Sequence, residues 1–302
     1  MTGRKVENIF ANRERIRLTE CALALLGAIE AGGTKFVCGA GTGPADLIST
    51  QIRTTSPEET VAAAVTWMRE KSAGRLRAVG IGSFGPVDLK TGHITSTPKA
   101  RWRNFDLAGE VRRALGVPVV FDTDVNAAVL GEARWGAGRG FANCIYLTVG
   151  TGIGGGAIVE GKTVHGLTHP EMGHIRIPRE AKDTFAGVCP YHGDCLEGLA
   201  TGPAIEARWG APGQDLPADH PAWDLEARYL ALGVANYICT LSPGMIVIGG
   251  GVMRQTQLYE MIRAEVRRVL GGYIGKVPEI VPPGLGELSG VLGALALAEG
   301  AA

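Results

Sequence analysis

One pattern constrains the fold of this chain more than any other: a short run of apolar, often β-branched residues that stops at glycines. It occurs four times, in "LALLGAIEAGGTK" (23–35), "LRAVGIGSFGPVD" (76–88), "CIYLTVGTGIGGG" (144–156) and "GMIVIGGGV" (244–252). A fifth run, "GVPVVFDTDVN" (116–126), is similar but ends in acids. Runs of this length and composition predict buried strands that end in tight turns.

Helical patterns lie between these runs and after them. The segment "SPEETVAAAVTWMREKSAG" (56–74) offers Ser56 as N-cap, Pro57 in the first turn and Gly74 as a stop. Further helical patterns occupy residues 126–138, 224–243, 258–272 and 288–300. The alternation of strands and helices predicts an α/β fold.

Two sets of strands, each with its own glycine turns, predict two similar domains with a cleft between them. The predicted order is an N-terminal extension (1–20), a first domain (21–124), a second domain (125–287) and a closing helix that returns to the first domain (288–302). Segment 161–198 of the second domain has a composition of its own and is treated below as a metal-binding segment.

The charge balance excludes several classes of partner. Thirty basic residues match thirty acidic ones, so no surplus of charge points to nucleic acid or to a membrane surface. No apolar run approaches the roughly 18 residues that a membrane span needs. The first twenty residues lack the apolar core of a secretory signal. We therefore expect a cytoplasmic protein, in a reducing compartment where cysteine clusters bind metals more often than they form disulfides.

Cysteine and histidine are concentrated in one stretch of the chain. Cys189, His192 and Cys195 follow each other at even spacing, with His174 fifteen residues upstream. A Cys2His2 set suits tetrahedral Zn²⁺, and four protein ligands make such a site structural rather than catalytic. Segment 161–198 has too few apolar residues to order itself, so zinc binding is expected to hold it in place.

Two glycine motifs match known patterns but lack the context that those patterns require. "GAIVEGKT" (156–163) fits the Walker A expression, and "GTGIGG" (150–155) fits the dinucleotide-binding expression. Both patterns need a helix after the glycines, whereas this stretch predicts a β-hairpin with a turn at Glu160–Lys162. A nucleotide-dependent oxidoreductase therefore remains an alternative only if a helix follows residue 155.

As hairpin tips, the same glycines can bind phosphate. The tip at 150–152 would expose backbone N–H groups together with the hydroxyls of Thr148 and Thr151. "AIEAGGTKF" (28–36) has the same construction, and "IGGG" (248–251) adds a third glycine turn. Facing one another across a cleft, such turns could hold a triphosphate.

Six motifs together resemble the ROK family of sugar kinases, within the actin/hexokinase-like ATPase superfamily. They are "GAIEAGGTKF", "FDTDVNAAVLGEARWG", "LTVGTGIGGG", "HPEMGH", "CPYHGDCLEGLATGP" and "VIGGGV", in order from about residue 26 to 298. The C-x2-H-x2-C cluster is most similar to that of bacterial ROK fructokinases, since ROK glucokinases typically carry C-x-C-x4-C. The resemblance implies two ribonuclease-H-like domains and transfer of the ATP γ-phosphate to a hydroxyl of a bound sugar, with Mg²⁺. It also implies a homodimer.

The resemblance assigns roles to particular positions. It makes Asp124 the base and implies Mg²⁺ held through water at Glu30. The implied sugar contacts are Thr123, Asp124, Glu171, His174 and Glu197, with His174 also on the metal. Asn104, in "RWRNFDL", is a further candidate sugar contact, and the alternative is that it is a loop amide without such a role. The implied ATP contacts are Gly32, Gly33, Thr34, Lys35, Thr148, Gly150, Thr151, Gly152, Pro203, Gly249, Gly250, Gly251, Val252 and Met253.

This chain departs from the family pattern at one sugar-contacting position. Many ROK members read Asn-Asp-x-Asn where this chain has Thr123, Asp124, Val125 and Asn126. Thr123 thus replaces an asparagine that contacts the sugar in those members, so the family pattern alone does not determine which sugar this chain binds. Apart from that role, Asp122 or Asp124 could cap the helix that starts near Asn126, and we expect Asp122 to be the structural one.

The leading expectation is a fructokinase acting on the 6-hydroxyl of D-fructose. Mannose, glucose or an N-acetylhexosamine are alternative substrates. A non-catalytic, sugar-responsive ROK regulator is a further alternative, but only about 20 residues precede the first strand, which is too few for a helix-turn-helix module, and the neutral charge argues against DNA binding.

Overall fold

The computed structural model describes residues 25–302. The predicted extension (1–20) lies outside this range. In its first half, the described chain forms the strands β1 (Leu25–Ala31), β2 (Lys35–Gly41), β3 (Ile48–Arg53), β4 (Leu76–Ser83), β5 (Val87–Asp88), β6 (His93–Ile94) and β7 (Val119–Thr123). Five of them make one sheet in the order β3-β2-β1-β4-β7, and β5 and β6 pair separately.

The second half repeats this sheet. Its strands are β8 (Cys144–Val149), β9 (Ile153–Val159), β10 (Lys162–Thr163), β11 (Met245–Gly249) and β12 (Glu279–Val281), in the order β10-β9-β8-β11-β12. In each sheet the first strand pairs antiparallel with the second and parallel with the fourth, as β1 does with β2 and β4 and β8 does with β9 and β11. The described residues therefore confirm two α/β units with the same topology.

The helices of the described chain connect and cover these sheets. They are α1 (Pro57–Ser72), α2 (Leu107–Leu115), α3 (Asp124–Trp135), α4 (Leu196–Leu199), α5 (Gly202–Trp209), α6 (Ala222–Leu241), α7 (Leu258–Leu270) and α8 (Ser289–Glu299). Short 3-10 turns occur at Ala100–Trp102, Met172–His174, Gly213–Asp215, Val252–Arg254 and Gly286–Leu288. None of these helices is long and apolar enough to cross a membrane.

Helix α1 forms as its sequence predicts. The Ser56 hydroxyl accepts a hydrogen bond from the backbone N–H of Glu59, and Pro57 occupies the first turn. At the other end, Ala73 adopts the left-handed conformation with φ 47° and closes the helix, and Gly74 follows it with φ 79°. The C-cap thus lies one residue before the predicted glycine stop.

Helices α3 and α8 pack against each other, and together they join the two sheets. Helix α8 lies on β1 and β4, whereas α3 contacts β4 and β7 on one side and β8 and β9 on the other. The backbones approach closely because glycine stands at the crossing: a Cβ on Gly293 would lie 1.7 Å from the carbonyl oxygen of Ala127. The division into domains at residue 124 stays a prediction, since α3 touches both halves.

A buried carboxylate fixes this junction. Glu132, near the end of α3, accepts hydrogen bonds from the backbone N–H groups of Ala137 (2.7 Å), Gly284 (3.0 Å) and Leu285 (3.0 Å) and from the hydroxyl of Ser289 (2.7 Å). Both carboxylate oxygens are therefore used, which compensates for burying the charge. The start of α8 is tied in this way to the end of α3.

Candidate active site and metal cluster

The predicted base lies where a strand of the first sheet turns into a helix. Strand β7 ends at Thr123, and Asp124 is the first residue of α3. The cap differs from the expectation, because the Thr123 hydroxyl accepts the hydrogen bond from the backbone N–H of Asn126 at 3.1 Å. Neither Asp122 nor Asp124 caps this helix.

Asp122 has a structural role other than the expected cap. Its buried carboxylate accepts hydrogen bonds from the side-chain amide of Asn126 at 2.9 Å and from the backbone N–H of Thr123 at 2.7 Å. Its other oxygen lies 2.9 Å from Nε2 of His165. Asp122 thereby holds the strand-to-helix turn on which Asp124 sits.

Asp124, at this turn, and Glu30, on β1, both have raised pKa values. Burial, together with the nearby Glu171 carboxylate, raises the pKa of Asp124 to about 6. Burial and the charge of Asp124 raise the pKa of Glu30, on β1, to about 7, although Lys35 acts in the opposite direction. Perturbed carboxyls grouped in this way are typical of acid–base chemistry.

Glu30 is also the residue that fits a divalent cation. Its Oε2 is buried and has no hydrogen-bond partner among the described residues. A buried carboxylate oxygen without a partner is costly unless a cation, water or proton satisfies it. Mg²⁺ prefers oxygen ligands such as this carboxylate. Because Mg²⁺ usually keeps several of its coordinated waters, the ion would be bound to Glu30 through water.

Glu171 and His174 come together as the sequence suggests. Glu171 precedes the 3-10 turn Met172–His174, and His174 is the last residue of that turn. Nε2 of His174 lies 4.0 Å from Oε2 of Glu171. The other oxygen, Oε1, lies 3.5 Å from Nδ1 of His169. Glu171 is half exposed, whereas His169 is buried, so the carboxylate stands between two imidazoles with one side open.

Glu197 links the predicted sugar site to the glycine hairpin. Its Oε2 accepts a hydrogen bond from the backbone N–H of Ile153 at 3.0 Å, immediately after the turn at residues 150–152. Its Oε1 lies 3.9 Å from Nδ1 of His174. A Cβ at Gly152 would lie 2.7 Å from this carboxylate, so any larger residue there would have to displace the Glu197 side chain.

The four predicted zinc ligands converge. The ligand atoms of His174, Cys189, His192 and Cys195 all lie within 4.8 Å of one another. Nδ1 of His174 lies 3.7 Å from Sγ of Cys189 and 3.6 Å from Sγ of Cys195, and Nδ1 of His192 lies 3.6 Å from Sγ of Cys189.

These separations fit a tetrahedral zinc ion. With Zn–S near 2.3 Å and Zn–N near 2.0–2.1 Å, tetrahedral angles put sulfur and nitrogen about 3.6 Å apart. His174 turns Nδ1 toward the thiols, which leaves its Nε2 facing Glu171. One side chain therefore belongs to both the metal cluster and the predicted sugar site.

Both glycine motifs of the second half are hairpins. Strands β8 and β9 pair antiparallel on either side of Gly150–Gly152, and β9 and β10 pair across Glu160 and Gly161, whose φ angles are 52° and 77°. No helix follows either motif directly, so the Walker A and dinucleotide-binding interpretations are excluded. The two-residue turn is one residue shorter than predicted.

Three predicted nucleotide turns meet at the hairpin tip. The backbone N–H of Gly202, at the start of α5, donates to the carbonyl oxygen of Gly150 at 2.9 Å. A Cβ on Gly150 would lie 3.8 Å from the backbone nitrogen of Gly251. Gly250 has φ 96°, and a side chain there would collide with the backbone of Val149. Pro203, in the first turn of α5, and Thr148, beside Gly249, lie next to this junction.

Two residues of the predicted nucleotide set face the interior. The side chains of Val252 and Met253 are buried in the core of the second half. Any contact that they make with a nucleotide would therefore run through the backbone.

The first-half hairpin forms at the predicted place. The Thr54 hydroxyl donates to the carbonyl oxygen of Gly32 at 2.7 Å and supports the turn, while Thr34 and Lys35 are exposed. The side chain of Lys99 lies across Gly33, with Cε only 2.4 Å from where a Cβ would stand. The sequence did not single out Lys99, because it arrives from a distant loop.

Asn104 is the most peripheral of the predicted sugar contacts. It is exposed and adopts φ 56°, a conformation that asparagine tolerates better than most residues. Its backbone N–H donates to the carbonyl oxygen of Thr95 at 3.2 Å. This fits the loop-amide alternative, and its sugar contact stays a prediction.

The chain is similar to bacterial sugar kinases over nearly its whole length. It is 45% identical to a fructokinase of Pediococcus pentosaceus over 92% of this chain and 98% of that one, and 42% identical to a fructokinase of Zymomonas mobilis over 91% and 96%. A glucokinase of Streptomyces coelicolor is 30% identical over 91% and 98%.

Solved structures and a family comparison agree with this similarity. A ROK family glucokinase from Streptomyces griseus, in complex with glucose and AMPPNP, superposes with a TM-score of 0.74 at 29% identity, covering 92% of this chain and 100% of that one. The sequence model of the ROK family matches residues 26–301. With the repeated sheets, the converging glycine turns and the histidine–cysteine cluster, this match shows that the chain belongs to the ROK family.

Proposed function

We propose that the chain is an ATP-dependent fructokinase that transfers the γ-phosphoryl group of ATP to the 6-hydroxyl of D-fructose. The observation that carries the proposal is one group of side chains. Asp124 acts electrostatically on Glu30, and Glu171 acts on Asp124. His174 lies near both Glu171 and Glu197, and Glu197 is bonded to the glycine hairpin. Together these groups would offer a base, hydroxyl acceptors and a phosphate cradle.

In the proposed reaction, Asp124 acts as the base. Its carboxylate accepts the proton of the sugar hydroxyl while that oxygen attacks the γ-phosphorus, and ADP departs with the bridging oxygen. The raised pKa of about 6 suits this role, because the group is ionised at neutral pH yet basic enough to take a proton. Glu30 would hold Mg²⁺ through water, and the ion would neutralise charge on the phosphates.

The proposed phosphate cradle is built from backbone groups. Backbone N–H groups at the turns of residues 32–34, 150–152 and 249–251 would bind the triphosphate, as nests of backbone amides bind anions. The N–H groups of Gly32 and Gly150 are excepted, since they donate to the carbonyl oxygens of Lys35 and Gly152. Thr148, Thr151 and Lys35 would add side-chain donors, and residues 249–253 with Pro203 would border the adenosine.

The proposed sugar site uses acceptors on one side of the base. Glu171 and Glu197 would accept hydrogen bonds from sugar hydroxyls, since carboxylates form strong charge-assisted bonds. His174, Thr123 and Asn104 would complete the set. The zinc ion would supply no chemistry of the reaction; its ligands would hold the 161–198 segment so that His174 and Glu197 face the sugar.

Fructose is favoured over other hexoses by similarity. The fructokinases are 42% and 45% identical to this chain, against 30% for the glucokinase, at nearly equal coverage. Mannose, glucose and N-acetylhexosamines are the alternative substrates, and Thr123 is the position that leaves them open. We further propose that the protein is a homodimer.

Identification of the product tests the proposal. The protein is incubated with fructose, ATP and Mg²⁺, and the product is identified by phosphorus and carbon NMR. Fructose phosphorylated at C6 is the expected product. Phosphorylation at C1, or ATP hydrolysis with no sugar phosphate, would contradict the proposal.

A further inference from the structure

His169 occupies a position that none of the assigned roles explains. It lies in the 161–198 segment, yet its side chain is only 5% exposed and contacts the first half of the molecule. Its Nε2 accepts a hydrogen bond from the backbone N–H of Val87 at 3.1 Å. The ring also packs on the preceding turn, because a Cβ on Gly85 would lie 3.5 Å from its Cε1.

This contact fixes where the proton of the ring resides. A backbone N–H can only donate, so Nε2 must be the unprotonated nitrogen of a neutral imidazole. The proton is then on Nδ1, which lies 3.5 Å from Oε1 of Glu171 and 3.4 Å from the carbonyl oxygen of Pro170. The ring thus presents a donor toward the Glu171 carboxylate.

A second histidine of the same segment makes a parallel contact. Nε2 of His165 lies 2.9 Å from Oδ2 of Asp122, at the end of β7. Both histidines therefore join the 161–198 segment to the first half: His165 contacts Asp122, two residues before Asp124, and His169 contacts Val87.

We propose that His169 is a positioning residue for sugar binding. Its ring is fixed by the hydrogen bond from the Val87 backbone N–H, and in turn it holds the Glu171 carboxylate in place. The inference rests on the proposed function and deepens it, since Glu171 is a proposed sugar contact. Glu171 is held on one side by His174 of the metal cluster and on the other by His169. Loss of His169 leaves Glu171 with one oxygen unrestrained, which weakens the binding of the sugar and not of ATP.

Two variants separate the two ends of the imidazole. His169→Gln keeps an acceptor that can reach the Val87 N–H but loses the donor toward Glu171. His169→Asn keeps a polar group at the Nδ1 position but loses the acceptor for Val87. His93→Asn, a half-exposed histidine outside the site, is the matched control.

The readout is KM for fructose against KM for ATP. Both His169 variants are expected to raise KM for fructose about tenfold, while KM for ATP changes less than twofold. His169→Gln loses the donor that faces Glu171, and His169→Asn loses the Val87 hydrogen bond that fixes the side chain. In a Glu171→Gln background the same substitutions should add less than twofold, since the group they position has already been altered. The control should match the wild type.

Several outcomes would overturn the inference. An unchanged KM for fructose, equal rises in both KM values, or multiplicative effects in the Glu171→Gln background would each reject it. Should His169→Asn not fold, His169→Gln decides alone; should neither fold, the residue is structural and the inference is wrong. A wild-type protein that phosphorylates no fructose would instead reject the proposed function.

Discussion

The Glu197 carboxylate accepts a hydrogen bond from the backbone N–H of Ile153 at 3.0 Å and stands 3.9 Å from Nδ1 of His174. One side chain therefore joins the hairpin proposed for phosphate binding to the cluster proposed for zinc. Glu197 thus connects the two proposed substrate sites, so loss of its side chain should affect both of them.

Two substitutions of Glu197 should have different consequences. Glu197→Gln keeps an acceptor for the Ile153 N–H, so only KM for the sugar should rise, by about tenfold for a lost charged hydrogen bond. Glu197→Ala frees the hairpin as well and should raise KM for both sugar and ATP. Steady-state kinetics with each substrate varied in turn measure this; equal effects of the two variants on ATP would contradict the link.

Replacing the proposed base should remove turnover and leave binding intact. Asp124→Asn cannot take the proton, so kcat should fall at least about 10²-fold, the lower bound of a typical general-base contribution. Calorimetric titration should give Kd values for ATP and fructose within about threefold of the wild type. Asp88→Asn, at the end of the short strand β5, is the control. Near-normal kcat in Asp124→Asn would mean that another group accepts the proton.

The raised pKa of Asp124 predicts the acid limb of the pH profile. The base must be ionised, and its pKa is raised to about 6, so activity is present above pH 6 and lost as the pH falls through that value. Below it, kcat/KM for the sugar should fall about tenfold per pH unit. A profile that stays flat down to pH 4.5, near the ordinary range of an aspartate, would contradict this assignment.

Removal of a zinc ligand should weaken sugar binding, because the 161–198 segment would no longer be held in place. Cys189→Ser should lose most of the bound zinc, measured by atomic absorption, and KM for fructose should rise more than KM for ATP. Cys239→Ser replaces an exposed cysteine of α6 and should retain zinc and activity. Full zinc occupancy and an unchanged KM in Cys189→Ser would show that the cluster does not support the sugar site.

Local patterns in the sequence predict the framework well. Apolar runs ended by glycines locate the central strands, and the spacing of His174, Cys189, His192 and Cys195 identifies a cluster that the structure brings together. These features depend on neighbours in the chain, because strand ends, turn conformations and ligand spacing are set over a few residues.

Features that depend on distant residues were not predicted. The contact between His169 and Val87 spans 82 positions, and Lys99 reaches Gly33 from another loop.

Helix α2 was missed although Asp106 caps it and Gly116 ends it, since nine residues give a short periodic signal. The cap of α3 is Thr123 rather than an aspartate because the exact end of β7 decides which side chain points along the helix axis.

A comparison of kcat/KM across a panel of sugars, with ATP and Mg²⁺, tests whether the protein is a fructokinase. The panel contains fructose, mannose, glucose and N-acetylmannosamine, with a control that lacks sugar. We expect a clear preference for fructose and no ATP turnover in the control. Equal or greater activity on another sugar would contradict the fructose assignment, and phosphorylation of none of them would contradict the kinase itself.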